Sequence, residues 1–275
     1  MSKIQQGIRS AKKAWKQKEG TVSPMSDAKA DSGARRKRKL PQSVLDLKPG
    51  HRAALDTDHL ERNRIIHDDY PLDALTPYKM LRTRVLQEMD RNDWRTLAVT
   101  AAHEGAGKTI TAINLAITIA QGAAQSVYLL DLDLRKPGVA RCMGIADVHA
   151  GLGEYLSKRL DVGDILWDVG IDHLVVVPGT TRFGNSSELL TSPPMNDLIA
   201  GIRSDPAKPI VILDLPPVLM TDDALAIAPM IDSLLFVVAE GETKRADVTH
   251  SIELLKDISL VGAVLNKSRN RQRGY

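Results

Sequence analysis

Six short apolar runs dominate the sequence between Thr96 and Asn266, and each is too short to be read as a helix. They are "TLAVTAA" (96–102), "VYLLD" (127–131), "HLVVVP" (173–178), "PIVILD" (209–214), "SLLFVVA" (233–239) and "LVGAVLN" (260–266). A strand with one wet face alternates polar and apolar residues; near-continuous apolar strands are buried on both faces. Segments with helical spacing lie between several of these runs, notably 108–121, 191–203 and 244–257. Strands alternating with helices build a parallel sheet covered on both sides. The expected fold is a single α/β domain with a doubly wound, mainly parallel sheet, without internal repeats or a second folded domain. One more helix is expected ahead of the sheet. There Thr76 and Pro77 open "TPYKMLRTRVLQEM", and Met80, Leu81, Val85, Leu86 and Met89 share a face.

Charge divides the chain more sharply than hydropathy does. Residues 1–50 hold 13 Lys+Arg against 4 Asp+Glu, whereas the remainder hold 24 against 30. The net charge of +3 therefore describes a basic arm on a mildly acidic body. Nucleic acid is not an expected partner, because the basic residues are not on the folded part. Within the arm, Ile4, Ile8, Ala11 and Trp15 recur at helical spacing among Arg9, Lys12, Lys13 and Lys16, a pattern suited to an anionic membrane surface or a partner. Residues 19–50, which include "RRKRK" (35–39), read as a linker. The expected organisation is a basic, largely disordered arm (1–50), a folded domain (51–268) and a flexible basic tail (269–275) ending in Tyr275. No apolar run approaches the roughly 20 residues that span a bilayer, and the N-terminus lacks the apolar stretch of a secretory signal. A cytoplasmic chain is expected. The single cysteine, Cys142, excludes a disulfide framework or a cysteine zinc site within one chain and is expected to be a small buried side chain.

The first apolar run leads directly into "AHEGAGKT" (102–109), and a helical pattern that ends at Gly122 follows. This is the relaxed phosphate-loop pattern, with Ala102 where glycine often stands. Small residues let successive backbone amides turn around a phosphate, and the following helix directs its positive end the same way. Glu104, Gly105, Ala106, Gly107 and Ile110 are expected to line the nucleotide. Lys108 would reach the β- and γ-phosphates, and the Thr109 hydroxyl would ligate Mg²⁺. Such a loop needs carboxylates at neighbouring strand ends, because Mg²⁺ takes hard oxygen ligands. "VYLLDLDLRKPG" supplies Asp131 and Asp133, followed by Arg135; "PIVILDLPPVL" supplies Asp214. The expected metal set is Thr109, Asp131 and Asp214. The extra carboxylate of "DLD" suits orientation of an attacking hydroxyl and acceptance of its proton. Arg135 could offset charge on the transferred group or lock one of these aspartates.

Together "GAGKT", "LLDLDLRKP" and "VILDLPPVL" resemble the Walker A, A′ and B motifs of the bacterial tyrosine kinases of capsule and exopolysaccharide synthesis, a branch of the MinD/ParA-like P-loop ATPases. "GNSSELLTSPPM" (184–195), "TDDALAI" (221–227) and "GAVLNKS" (262–268) are similar to the same family, so the resemblance spans roughly residues 60–268. It implies transfer of phosphate from Mg²⁺·ATP to protein tyrosine, with control of polysaccharide polymerisation and export. Lys108, Asp131, Asp133 and Arg135 would be catalytic, Asp131 and Asp133 would activate the tyrosine, and Asn266 would contact the base. A membrane polysaccharide co-polymerase or adaptor would be the partner, with recruitment to the inner face of the membrane and assembly of several copies. Two features depart from the family's pattern. Tyr275 is the one phosphoacceptor candidate in the tail "SRNRQRGY", where relatives carry a tyrosine cluster. Thr76, Lys79 and Arg82 stand where the family's oligomerisation helix reads Glu-x-x-Arg-x-x-Arg. Two other readings stay open at this level: an ATPase switch of the MinD or ParA kind, and a nucleotide-binding scaffold without turnover. Against the switch, His103 and Glu104 stand where its loop carries an extra lysine.

Overall fold

The six apolar runs form six of the eight strands of one sheet. The computed structural model describes residues 49–123, 125–157 and 160–268; the expectations for residues 1–48 and for the tail with Tyr275 lie outside them. The strands are β1 (His51–Arg52), β2 (Thr96–Ala101), β3 (Val127–Asp131), β4 (Trp167–Asp168), β5 (Leu174–Val177), β6 (Ile210–Asp214), β7 (Ser233–Ala239) and β8 (Ser259–Asn266). Their order across the sheet is β1-β4-β5-β3-β6-β2-β7-β8. Every pairing is parallel except β4 with β5. That exception has a local cause. The turn between β4 and β5 is far too short for a crossover helix, and it reverses through positive φ at Gly170 and His173, so the two strands can only pair antiparallel. The short strands β1 and β4 carried no apolar run and were not legible in advance.

The helices are α1 (Thr57–Arg62), α2 (Leu72–Arg91), α3 (Lys108–Ala123), α4 (Val139–Met143), α5 (Leu152–Ser157), α6 (Ser186–Leu190), α7 (Pro193–Arg203), α8 (Asp223–Ile227) and α9 (Arg245–Leu254). Because successive strand side chains alternate between faces, the strands feed two separate apolar clusters. Leu130, Leu213 and Phe236 pack with Leu198 and Ile202 of α7 on one face. Leu129, Ile212 and Leu235 pack with Ile113 and Ile117 of α3 on the other. Burial of a Leu or Ile side chain contributes about 1.5–3 kcal/mol, so these two layers fix the ends of β2, β3 and β6, where the site lies.

Two helix boundaries differ from the sequence pattern. Helix α2 starts at Leu72, ahead of Thr76, because the Pro71 carbonyl already accepts the Ala74 and Leu75 amides. Thr76 instead donates its hydroxyl to Leu72 O at 2.7 Å, and Pro77 lies inside the helix, where it removes a single backbone donor. Gly122 is not a cap, since α3 runs on to Ala123. The glycine makes room for Arg82: a Cβ there would lie 1.6 Å from Arg82 Nη1, which donates to Thr118 O at 3.0 Å. Of the three α2 residues that stand at the positions of the family's oligomerisation motif, Arg82 thus spends its guanidinium on the last turns of α3.

Candidate active site

The site begins where β2 stops. Residues 102–107 turn away from the sheet and α3 starts at Lys108. Gly105 and Gly107 have φ of +78° and +94°, a region that side chains with a Cβ rarely adopt. Gly107 is further constrained by space, because a Cβ would come 2.0 Å from Asn266 Nδ2. Two carbonyls of the loop are held from outside it. Asn266 Nδ2 donates to Ala106 O at 2.8 Å, and Thr111 Oγ1 donates to Gly107 O at 2.8 Å. The cavity in front of the loop measures about 310 Å³ and is lined by Glu104, Gly105, Gly107, Lys108, Thr109, Ile110 and Asp133, among others.

Strands β3 and β6 are neighbours, and their register sets Asp131 opposite Asp214. Both carboxylates are fully buried, and Lys108 is nearly so. Lys108 Nζ stands 3.0 Å from Asp133 Oδ2 and 3.6 Å from Asp214 Oδ1. Asp131 Oδ2 accepts the amides of Gly138 and Val139 at 2.8 and 2.9 Å, where α4 starts. Asp133 Oδ1 accepts the Lys136 amide at 3.0 Å. Asp214 differs from both: its two buried carboxylate oxygens accept no backbone amide and face the side chains of Lys108 and Thr109 instead.

The electrostatics follow from crowding three acids around one base. Burial disfavours the charged Lys108, but Asp214 and Asp133 outweigh it and push the ammonium up to about 12. Burial, then repulsion from Asp214, pushes Asp131 up to about 7, against the stabilising amides of Val139 and Gly138. Asp214 is raised as well, mainly by burial. A buried acid pair, one member of which accepts no backbone amide, is costly for a protein alone. It is the donor set that a hydrated divalent cation neutralises, so the residues present fit Mg²⁺.

Not every expected residue converges on the cavity. Lys108, Thr109, Asp131, Asp133 and Asp214 do come together. Arg135 turns away from the aspartates; its Nε lies 2.9 Å from Ser186 Oγ and 3.4 Å from Asp223 Oδ2. Asn266 is committed to the loop carbonyl and, through Oδ1, to the Lys267 amide at 2.9 Å. Glu104 pairs with Lys136 at 2.6 Å across the cavity mouth, and that hydrogen bond holds its carboxyl below the usual range. Cys142 is half-buried on the cavity wall, less enclosed than expected because α4 runs along the rim. Burial pushes its thiol up, away from thiolate chemistry. Gly179 carried no signal in the sequence, yet a Cβ there would meet Pro137 Cβ at 2.6 Å and Asp131 Cγ at 3.4 Å. Ser186 and Asp223 lie in motifs visible in the sequence, but no spacing rule links either to Arg135.

A strand, a glycine loop, a lysine at a helix N-terminus and carboxylates on adjacent strands define a nucleotide-binding protein of the P-loop class. No family profile matches the chain. Individual relatives do. The chain is 31% identical over 192 residues to the tyrosine-protein kinase CpsD of Streptococcus pneumoniae serotype 4, covering 69% of this chain and 82% of CpsD. It is 30% identical over 204 residues to the tyrosine-protein kinase YwqD of Bacillus subtilis, covering 72% of this chain and 84% of YwqD. Among solved structures, the VpsO kinase domain superposes with a TM-score of 0.61 at 26% identity, over 70% of this chain and 93% of that domain. The chain belongs to the bacterial tyrosine-kinase family of capsule and exopolysaccharide synthesis.

Proposed function

We propose that this chain transfers the γ-phosphoryl group of Mg²⁺·ATP to protein tyrosine and thereby regulates the polymerisation and export of a capsular or extracellular polysaccharide. The observation that carries this reading is the position of Lys108 Nζ, 3.0 Å from Asp133 and 3.6 Å from Asp214, beside the phosphate loop. Lys108 stays protonated at physiological pH and binds the terminal phosphates, where negative charge grows during transfer. The loop glycines bring backbone close to the phosphates. Asp131 and Asp214, together with Thr109, would hold Mg²⁺, which neutralises the phosphate oxygens when bound. Asp133 is the acid that reaches the cavity wall. It orients the incoming tyrosine hydroxyl and accepts its proton.

Tyr275 is the proposed acceptor on the chain itself, and a membrane polysaccharide co-polymerase or adaptor is the proposed partner. Among the described residues no helix is long and apolar enough to cross a membrane. The reading therefore assigns recruitment to the inner face of the membrane to that partner and to the basic arm. Incubation with Mg²⁺·ATP, followed by phosphotyrosine mapping, tests it. Phosphotyrosine that is absent from Lys108→Met is the expected result. A protein that hydrolyses ATP without phosphorylating tyrosine on itself or on a co-purified partner would establish the ATPase-switch reading instead.

A further inference from the structure

Three loops meet outside the nucleotide cavity, and one buried hydroxyl joins them. Ser186, the first residue of α6, is fully buried, as is Asp223, the first residue of α8. Ser186 Oγ lies 2.8 and 2.9 Å from the two carboxylate oxygens of Asp223 and 2.9 Å from Arg135 Nε. A serine hydroxyl has one proton to give and lone pairs to receive. It donates to Asp223 and accepts from Arg135, whose Nε also lies 3.4 Å from Asp223 Oδ2, so the three groups form one closed network. Arg135 Nη2 also lies 3.7 Å from Asp222 Oδ1. With two carboxylates beside one guanidinium, the patch is not a receptor for a further anion.

What the chain of groups holds is the turn that carries Asp133. Arg135 lies two residues beyond Asp133, and the backbone between them is fixed a second time by the Phe183 amide, 2.9 Å from Leu134 O. Asp223 follows the loop that leaves Asp214, and that loop is pinned to the phosphate-loop strand by Val218 N on Ala101 O at 2.9 Å. The link Arg135–Ser186–Asp223 therefore ties the turn bearing Asp133 to the segment leaving Asp214. We infer that Ser186 and Asp223 are positioning residues of the phosphoryl-transfer site, acting through Arg135 to keep Asp133 and Asp214 in register around Lys108. Transfer is sensitive to displacements well below an ångström, whereas nucleotide binding, spread over many loop contacts, is not. The inference rests on the kinase reading above for its substrate, but the network would equally set the rate of ATP hydrolysis.

The test is a double-variant comparison in the full chain, using Ser186→Ala, Arg135→Ala and both together. Rates of phosphotyrosine formation and of ATP hydrolysis, the Kd of ADP and the Tm are measured for each. Ser186→Ala is expected to lower kcat about 10-fold or more, as loss of a ligand-orienting partner does. The ADP Kd should stay within about 3-fold, which separates positioning from binding. Added to Arg135→Ala, it should lower kcat no further, because its route to Asp133 is already gone. Asp223→Asn, which keeps the shape and removes the charge, should lower kcat in the same direction. An unchanged kcat in Ser186→Ala, or losses that multiply in the double variant, would overturn the inference. So would a loss of ADP binding in step with a fall in Tm, which marks a structural role. A wild-type protein that hydrolyses ATP without making phosphotyrosine would instead defeat the kinase reading, with the double-variant comparison still read from hydrolysis.

Discussion

Two buried carboxylates, Glu154 and Asp214, sit in one domain with different partners. Glu154 accepts the hydroxyls of Thr180 and Thr181, the latter at 2.7 Å, and the Gly151 amide at 3.0 Å. Burial alone would raise it, yet those donors hold its carboxyl below the usual range. Asp214 lies deeper and accepts no backbone amide, and burial moves its acidity the other way. The first carboxylate is finished by the protein and clamps the segment after β5 onto α5. The second has an ammonium 3.6 Å away in place of such donors, beside the phosphate loop. Hydrogen-bond donors and depth of burial together separate the two acids.

The comparison can be broken at four points, taken from the largest effect down. Lys108→Met should lower turnover on the order of 10³-fold, because it removes the donor to the terminal phosphates; steady-state rates with Mg²⁺·ATP check this. Asp214→Asn should lower turnover about 10²-fold, in the range of a lost electrostatic group, while raising the Tm of the nucleotide-free protein. A lower Tm would mean that Asp214 is as structural as Glu154. Glu154→Ala should do the reverse. It strands two threonine hydroxyls and an amide and costs about 1–3 kcal/mol in denaturant unfolding, with the ADP Kd little changed.

The smallest effect is in pH. The folded-state value of Asp131 is raised to about 7, above its unfolded value, so the native state holds the extra proton between them. Its stabilising contribution is present at low pH and is lost as pH rises towards 7, with a slope of at most about 1.4 kcal/mol per pH unit. Glu154 is lowered, so its contribution is lost as pH falls below the ordinary glutamate range. Tm measured across pH without nucleotide or metal should lose its fall between about pH 4 and 7 in Asp131→Asn and part of its slope at lower pH in Glu154→Gln.

Much of this was legible in the sequence. The apolar runs placed β2, β3, β5, β6, β7 and β8 to within a residue or two, and "AHEGAGKT" placed the phosphate loop, because each signal lies within a few residues of chain. Lys108, Asp131, Asp133 and Asp214 all stand inside such short motifs. Arg135 stands in the same motif as Asp131 and Asp133, but nothing local points to its partners, Ser186 and Asp223, the latter 88 residues distant. Asn266, expected at the base, holds the Ala106 carbonyl across 160 residues. Glu154 carried no motif, and its donors come from another loop.

By itself the sequence determined which segments are strands, where the lysine and the acids stand along them, and that they end together at one edge of a sheet. Hydrophobic periodicity and loop composition are local properties of the chain. Only the tertiary structure decided that β3 and β6 are adjacent, so that Asp131 faces Asp214, and that one acid is fully hydrogen-bonded while another is not. Those outcomes depend on which distant donors packing brings within about 3 Å, a condition that no short stretch of sequence contains.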